Sequence, residues 1–141
     1  SKSYLTYPKF EYEQPLSGVY PEKSYYAIID REWREGDRLR LEFSTPIQIR
    51  EPHERAHALR GRVAVSRGPL VYCLESVDQP GVDLFKVRLD RSSLREVFAP
   101  DLFGGTLLLK GQSVRGEELT FLPYAQWGNR GKSQMNVWVK G

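Results

Sequence analysis

The 141-residue sequence predicts an all-β fold: an antiparallel β-sandwich, jelly-roll-like or Ig-like, with little or no helix. Three observations carry that expectation. Short apolar or alternating runs recur at intervals of about 8–12 residues. Gly, Pro, Asp and Ser separate them, and each supplies turn geometry for its own physical reason. No segment sustains the period of roughly 3.6 residues that marks an amphipathic helix. The runs amount to about nine or ten short strands, the pattern of a sandwich rather than of alternating strands and helices.

Residues 1–23 are rich in Tyr, Pro and Glu, are punctuated by Pro8, Pro15, Gly18 and Pro21, and read as an irregular N-terminal segment. Residues 24–141 read as the sandwich domain, with a sub-boundary allowed near 59–61. Tyr25–Trp33 is its first strand. Arg34-Glu35-Gly36-Asp37 is a hairpin turn in which Gly36 can take a positive φ. Arg38–Ser44 returns with Leu39, Leu41 and Phe43 on one face and Arg38, Arg40 and Glu42 on the other. Pro46 breaks it, and Ile47–Arg50 is a short strand. Glu51–Leu59 is polar, a loop or a single helical turn.

Arg62–Ser66 and Leu70–Glu75 form the central pair. Val63 and Val65 share a face, and the near-continuous apolar run Leu70–Leu74 suits a strand buried on both sides. Arg67-Gly68-Pro69 joins them. Proline cannot donate to a ladder and restricts the residue before it, so Gly68-Pro69 should break or jog a strand. Val77–Asp83 is a loop marked by Pro80-Gly81. Phe85, Val87 and Leu89 alternate in the next strand, Asp90-Arg91-Ser92-Ser93 is turn chemistry, and Arg95–Ala99 is a short strand. Gly104-Gly105 leads into Thr106–Lys110, Gly111–Glu118 is a loop, and Leu119–Pro123 is a strand. After a loop over Tyr124–Gln134, Met135–Lys140 closes the chain with Met135, Val137 and Val139 opposed to Asn136, Trp138 and Lys140.

Composition narrows the function classes. Apolar residues make up 40% and charged residues 28%, ordinary values for a globular protein. The net charge is only +3, and the basic residues Arg50, Arg55, Arg60, Arg62 and Arg67 have Glu51 and Glu54 among them. That is a solvated or interface face rather than a nucleic-acid footprint. No apolar run approaches a membrane span and the start is not signal-like, so no membrane partner is expected. The first residue is not Met, and a piece of a longer polypeptide is expected. The lone Cys73 excludes an internal disulfide and gives no sign of an oxidising compartment, which favours the cytoplasm.

His53-Glu54-Arg55-Ala56-His57 matches the zinc-protease pattern H-E-x-x-H, whose chemistry needs a helix to put both imidazoles on one face. Here it follows Pro52, precedes Gly61 and has no third histidine available, so His53 and His57 are read as surface residues of a connector rather than metal ligands. Cys73 lies in an apolar strand, a setting for a buried structural thiol rather than a nucleophile. Glu32/Glu35 and Glu117/Glu118 sit at turns, whereas glycosidase carboxylates must face each other across a cleft. The loop Tyr124-Ala125-Gln126-Trp127-Gly128-Asn129-Arg130-Gly131 stands apart. Its aromatics could stack on a sugar or a partner, with Asn129 and Arg130 giving directed hydrogen bonds. Tyr124, Trp127, Asn129 and Arg130 are therefore the candidate carbohydrate-binding or domain-interface residues. The competing reading is a structured corner with Trp127 buried and Arg130 bonding loop carbonyls.

Three stretches taken together carry a family resemblance. They are Ile29-Asp30-Arg31-Glu32-Trp33 with Gly36-Asp37; Gly61–Val65 with Arg67-Gly68-Pro69-Leu70-Val71-Tyr72-Cys73-Leu74-Glu75; and Leu122-Pro123-Tyr124 with Trp127–Gly131 and Met135–Trp138. Their order and spacing resemble the C-terminal part of glycoside hydrolase family 127, the β-L-arabinofuranosidase family, over about Tyr25 to Lys140. The resemblance implies that catalysis belongs to an α/α barrel upstream, where a zinc-bound cysteine is the nucleophile and a glutamate the acid/base. It gives no residue of this chain a catalytic role and no cofactor, and Cys73 is not that cysteine. It implies a non-catalytic accessory sandwich whose partner is the parent chain's barrel. An autonomous carbohydrate-binding module is the alternative, and self-association through an uncovered apolar face is a further expectation.

Overall fold

The computed structural model describes residues 32, 34–38 and 44–141. The chain divides into two compact units, Ser1–Ser44 and Thr45–Gly141. The expected irregular segment 1–23 lies outside the described residues, and the expected strands Tyr25–Trp33 and Arg38–Ser44 lie almost wholly outside them. The turn between those strands is present. Asp37 N donates to Arg34 O at 3.0 Å, Arg34 N donates to Asp37 Oδ2 at 3.1 Å, and Gly36 has φ 87°.

The second unit is all-β. Its strands are β1 (Ile47–Arg50), β2 (Arg62–Arg67), β3 (Leu70–Glu75), β4 (Leu89–Ala99), β5 (Thr106–Ser113), β6 (Glu118–Pro123), β7 (Met135–Asn136) and β8 (Val139–Lys140). Helix among the described residues is limited to 3-10 turns at His57–Leu59, Ser76–Asp78 and Tyr124–Gln126. The named strands pair antiparallel in the order β1-β2-β3-β6-β5-β4, so two meanders meet where β3 pairs β6.

Period-two alternation builds the core. Ile47 and Ile49, Val63 and Val65, Tyr72 and Leu74, Leu119 and Phe121 turn to one side and join Leu89, Leu94 and Leu109 in a single cluster. Fully burying an aliphatic or Phe side chain is worth about 1.5–3 kcal/mol, and Ile47, Ile49 and Leu94, only partly buried, gain less. Strands from both meanders reach this one cluster because the sheet curves until its halves face each other. Arg67 Nε meets Glu96 Oε1 at 2.7 Å and Arg91 Nη1 meets Glu51 Oε1 at 2.8 Å, tying β4 to β2 and to the residue that follows β1. On the opposite face Cys73, Leu108 and Leu122 form a second cluster, covered by Leu102, Met135 and Val137. Central strands with apolar contacts on both faces account for the near-continuous run in β3. The run is doubly buried only from Tyr72 onward; Leu70 and Val71 are each 44% exposed.

Arg67 pairs Leu70 directly, so Gly68-Pro69 is a two-residue hairpin loop rather than a jog. Gly68 has φ 53°, and the proline ring holds the next φ near about −65°, the combination of a type II′ turn. A Cβ on Gly68 would sit 2.8 Å from Thr45 Cγ2.

Three expectations need correction. Asp90–Ser93 is not a turn between strands but an irregularity inside the single strand β4, where the register moves from Asp90↔Gln112 to Arg95↔Lys110. Ser93 Oγ donates to Asp90 O at 2.6 Å and accepts from Gln112 N at 2.7 Å, so it replaces the interrupted ladder. Gly111 lies beneath: a Cβ there would meet Leu94 Cδ2 and Ser93 Oγ at 3.1 Å each. Phe85 falls in the turn before β4 and is exposed, because Lys86 N and Val87 N both donate to Asp83 O.

The third correction concerns Met135–Lys140, which is two short strands rather than one. The β2–β3 ladder stops at Val65↔Tyr72. Beyond it, β8 takes Val63 through Val139 and β7 takes Leu74 through Asn136. Residues 135–140 thus wedge between strands that have splayed apart. Asn136, expected on the polar side, is buried and donates from Nδ2 to Leu84 O at 2.7 Å.

Candidate functional site

The loop after β6 is held by one buried carboxylate. Glu75, at the end of β3, is fully buried. Its Oε2 accepts from Arg130 Nη2 at 2.7 Å, and its Oε1 accepts from Gly128 N at 3.0 Å and from Ser133 Oγ. Arg130 also grips Asp78, Nη1 to Oδ1 at 2.6 Å and Nη2 to Oδ2 at 2.5 Å, the two-pronged geometry that a planar guanidinium offers a carboxylate. The ring of Phe103 stands 5.7 Å from the guanidinium carbon, and Arg130 Nε is buried without a hydrogen-bond partner among the described residues. Burial opposes ionisation of Glu75, but the hydrogen bonds from Ser133, Arg130 and Gly128 and the Arg130 charge outweigh it and hold the carboxyl below its usual range. Asp78 and Glu75 in turn raise the Arg130 pKa against the cost of its burial. Glu75 and Asp78 were not singled out by sequence: the acid ending a buried apolar strand was the available signal, and its partner lies 55 residues away.

The four candidate residues of this loop have different surroundings. Arg130 is engaged internally, with carboxylates rather than the loop carbonyls expected of a structured corner. Asn129 Nδ2 donates to Gln126 O at 3.0 Å within the loop. Tyr124 and Trp127 are 48% and 39% exposed, so Trp127 is not buried as the corner reading required. Gln126, between them, is tied to Thr106 through a 2.7 Å side-chain bond.

The H-E-x-x-H residues adopt a turn followed by a 3-10 turn, not a helix. Ala56 N donates to His53 O at 2.8 Å, and each histidine Nδ1 already has a bonding partner, Arg55 N at 3.2 Å for His53 and Arg60 Nη2 at 3.2 Å for His57. Among the described residues no three His, Cys, Asp or Glu side chains are grouped to hold a metal ion, so the zinc implied by the family resemblance has no fitting donor set in them. Burial pushes the Cys73 thiol up to about 12, with the Glu75 and Asp78 charges acting in the same direction. No helix among the described residues is long and apolar enough to cross a membrane. A cleft of about 660 Å³, which sequence reasoning missed, lies between the turn before β4, the turn after β5, and Lys140.

The sheet thus joins two meanders, carries a two-residue hairpin at Gly68-Pro69 and holds the loop after β6 through Arg130. The family model for the glycoside hydrolase family 127 C-terminal domain matches residues 47–140. The chain belongs to glycoside hydrolase family 127. It is 30% identical to a non-reducing end β-L-arabinofuranosidase of Bifidobacterium longum subsp. longum, over 90% of this chain and 23% of that protein. The chain therefore spans about a quarter of the length of that family 127 relative. Among solved structures it resembles a family 127 β-L-arabinofuranosidase from Geobacillus stearothermophilus T6, with TM-score 0.62 and 32% identity over 70% of this chain and 18% of that one. A second family 127 β-arabinofuranosidase gives TM-score 0.62 and 29% identity over 70% of this chain and 17% of its own. The family match runs from β1 into β8, which is the curved sheet with its wedge.

Proposed function

We propose that this chain is the non-catalytic C-terminal sandwich of a longer family 127 glycosidase and that it braces the catalytic barrel of the same polypeptide. The observation that carries this reading is the match of the C-terminal domain model to β1 through β8 in a chain spanning about a quarter of a β-L-arabinofuranosidase. The side-chain chemistry is consistent with it. Glu75, Asp78 and Arg130 are paired with one another inside the fold, and the Cys73 thiol, buried and at about 12, is a poor source of thiolate at neutral pH. The zinc and the nucleophilic cysteine of the family would then belong to the upstream part. The loop carrying Tyr124 and Trp127 is the face we assign to contact with that part. Autonomous sugar binding by the loop draws no support from the relatives.

The test is an assay of the purified 141-residue chain on an aryl β-L-arabinofuranoside, with and without added zinc. No turnover is expected, and turnover at rates typical of an enzyme would refute the reading. A companion titration with arabinose-containing oligosaccharides, following Trp fluorescence, is expected to show no saturable change.

A further inference from the structure

We infer that the cleft beside β8 is a binding site for a small organic anion, one that presents a carboxylate or phosphate group on a compact body. Its volume of about 660 Å³ falls within the range of roughly 300–1,000 Å³ typical of small-molecule sites. Four cations line it: Lys86, Arg88, Arg115 and Lys140. Val82 and Val114 give it apolar wall.

The backbone fixes these cations next to one another. Arg88 and Lys140 form a parallel β-bridge, and Val114 N donates to Arg88 O at 2.9 Å, which brings the Arg115 turn alongside. That turn is closed by Gly116 N to Ser113 O at 2.9 Å and by Arg115 N to Ser113 Oγ at 3.1 Å. The two acids of the cleft are already engaged. Asp83 accepts from Phe85 N at 3.0 Å and pairs with Lys86 Nζ at 3.3 Å, and Glu117 Oε2 accepts from Ser113 Oγ at 2.7 Å. Arg88, Arg115 and Lys140 have no ion-pair partner among the described residues. Like charges held side by side on neighbouring backbone destabilise a fold. An anion bridging them removes that repulsion and gains charge-assisted hydrogen bonds. A cleft of these dimensions suits a small molecule rather than a protein surface.

The experiment is an NMR and calorimetric titration of the 141-residue chain at constant ionic strength. The probes are glucuronate for the carboxylate source, inorganic phosphate for the phosphate source, and glucose as the neutral control. Saturable binding in the millimolar range or tighter is expected for at least one anion and not for glucose, with amide shifts centred on Arg88, Arg115 and Lys140. Glucuronate alone would assign a carboxylate ligand, phosphate alone a phosphate ligand, and both a general anion site. R88A and R115A, exposed positions whose folding is checked by thermal melting, should each weaken binding about tenfold. The site is overturned if neither anion saturates, if sodium chloride gives the same shifts at matched ionic strength, or if both variants bind as the unaltered chain does. The expectation does not depend on the glycosidase reading, so the enzyme assay and this titration can fail separately.

Discussion

At the scale of single residues, Glu75 sets the most stringent requirement. A fully buried carboxylate is tolerated only because Arg130, Ser133 and Gly128 N meet it. Removing one partner of such a pair leaves an uncompensated charge, so Arg130→Ala should destabilise the chain by about 3–5 kcal/mol in urea unfolding. The pH dependence has a defined sign. In the fold Glu75 titrates below its ordinary value of 4.5, so between the two pKa values the unfolded chain holds more protons than the native one. The stability contributed by Glu75 is therefore complete above the ordinary value and is lost as pH falls through the lowered one. In Arg130→Ala the loss should begin at higher pH. An acid-unfolding midpoint that does not move on this substitution would show that Arg130 does not support the carboxylate.

At the scale of elements, the Gly68-Pro69 hairpin depends on both of its residues. Gly68 has a positive φ and a neighbour, Thr45, where its side chain would go. Gly81 has φ 82°, but nothing lies within 4 Å of where a Cβ would sit. Gly68→Val should therefore cost more than Gly81→Val, about 2–3 kcal/mol against about 1–2, since only the first adds a clash to the conformational penalty. Equal losses in matched urea titrations would mean the Thr45 contact relaxes freely. The element most legible in the sequence was one with a clear face, Ile47–Arg50, where alternation leaves a single register that turns the apolar side inward. Asp90–Ser93 escapes a local reading because the residues that suit a turn also suit an interruption within a strand, and it is the pairing across the sheet, with Gln112 N donating to Ser93 Oγ, that distinguishes the two.

At the scale of the whole molecule, the all-β class and the family were legible, because both rest on local patterns strung along the chain. The charge clamp and the cleft were not. Arg130 reaches Glu75 and Asp78 across 55 and 52 residues, and Arg88, Arg115 and Lys140 become neighbours only once β4, β5 and β8 are assembled. The wedge of residues 135–140 between β2 and β3 bears on the order in which the fold is completed. Arg62 meets the carbonyl of Trp138 across 76 residues, whereas Val65 and Tyr72 pair across a tight hairpin. Closing the longer loop costs more chain entropy, so the hairpin forms first and the wedge last. Until then the splayed ends of β2 and β3 are open edges able to pair with a strand from another chain. Pulsed hydrogen exchange should find the Val65 and Tyr72 amides protected before those of Val63 and Leu74, and simultaneous protection would contradict this order. Residues 135–140 then act as a kinetic latch: the interval before they dock is the period in which the folding chain is most open to misassembly.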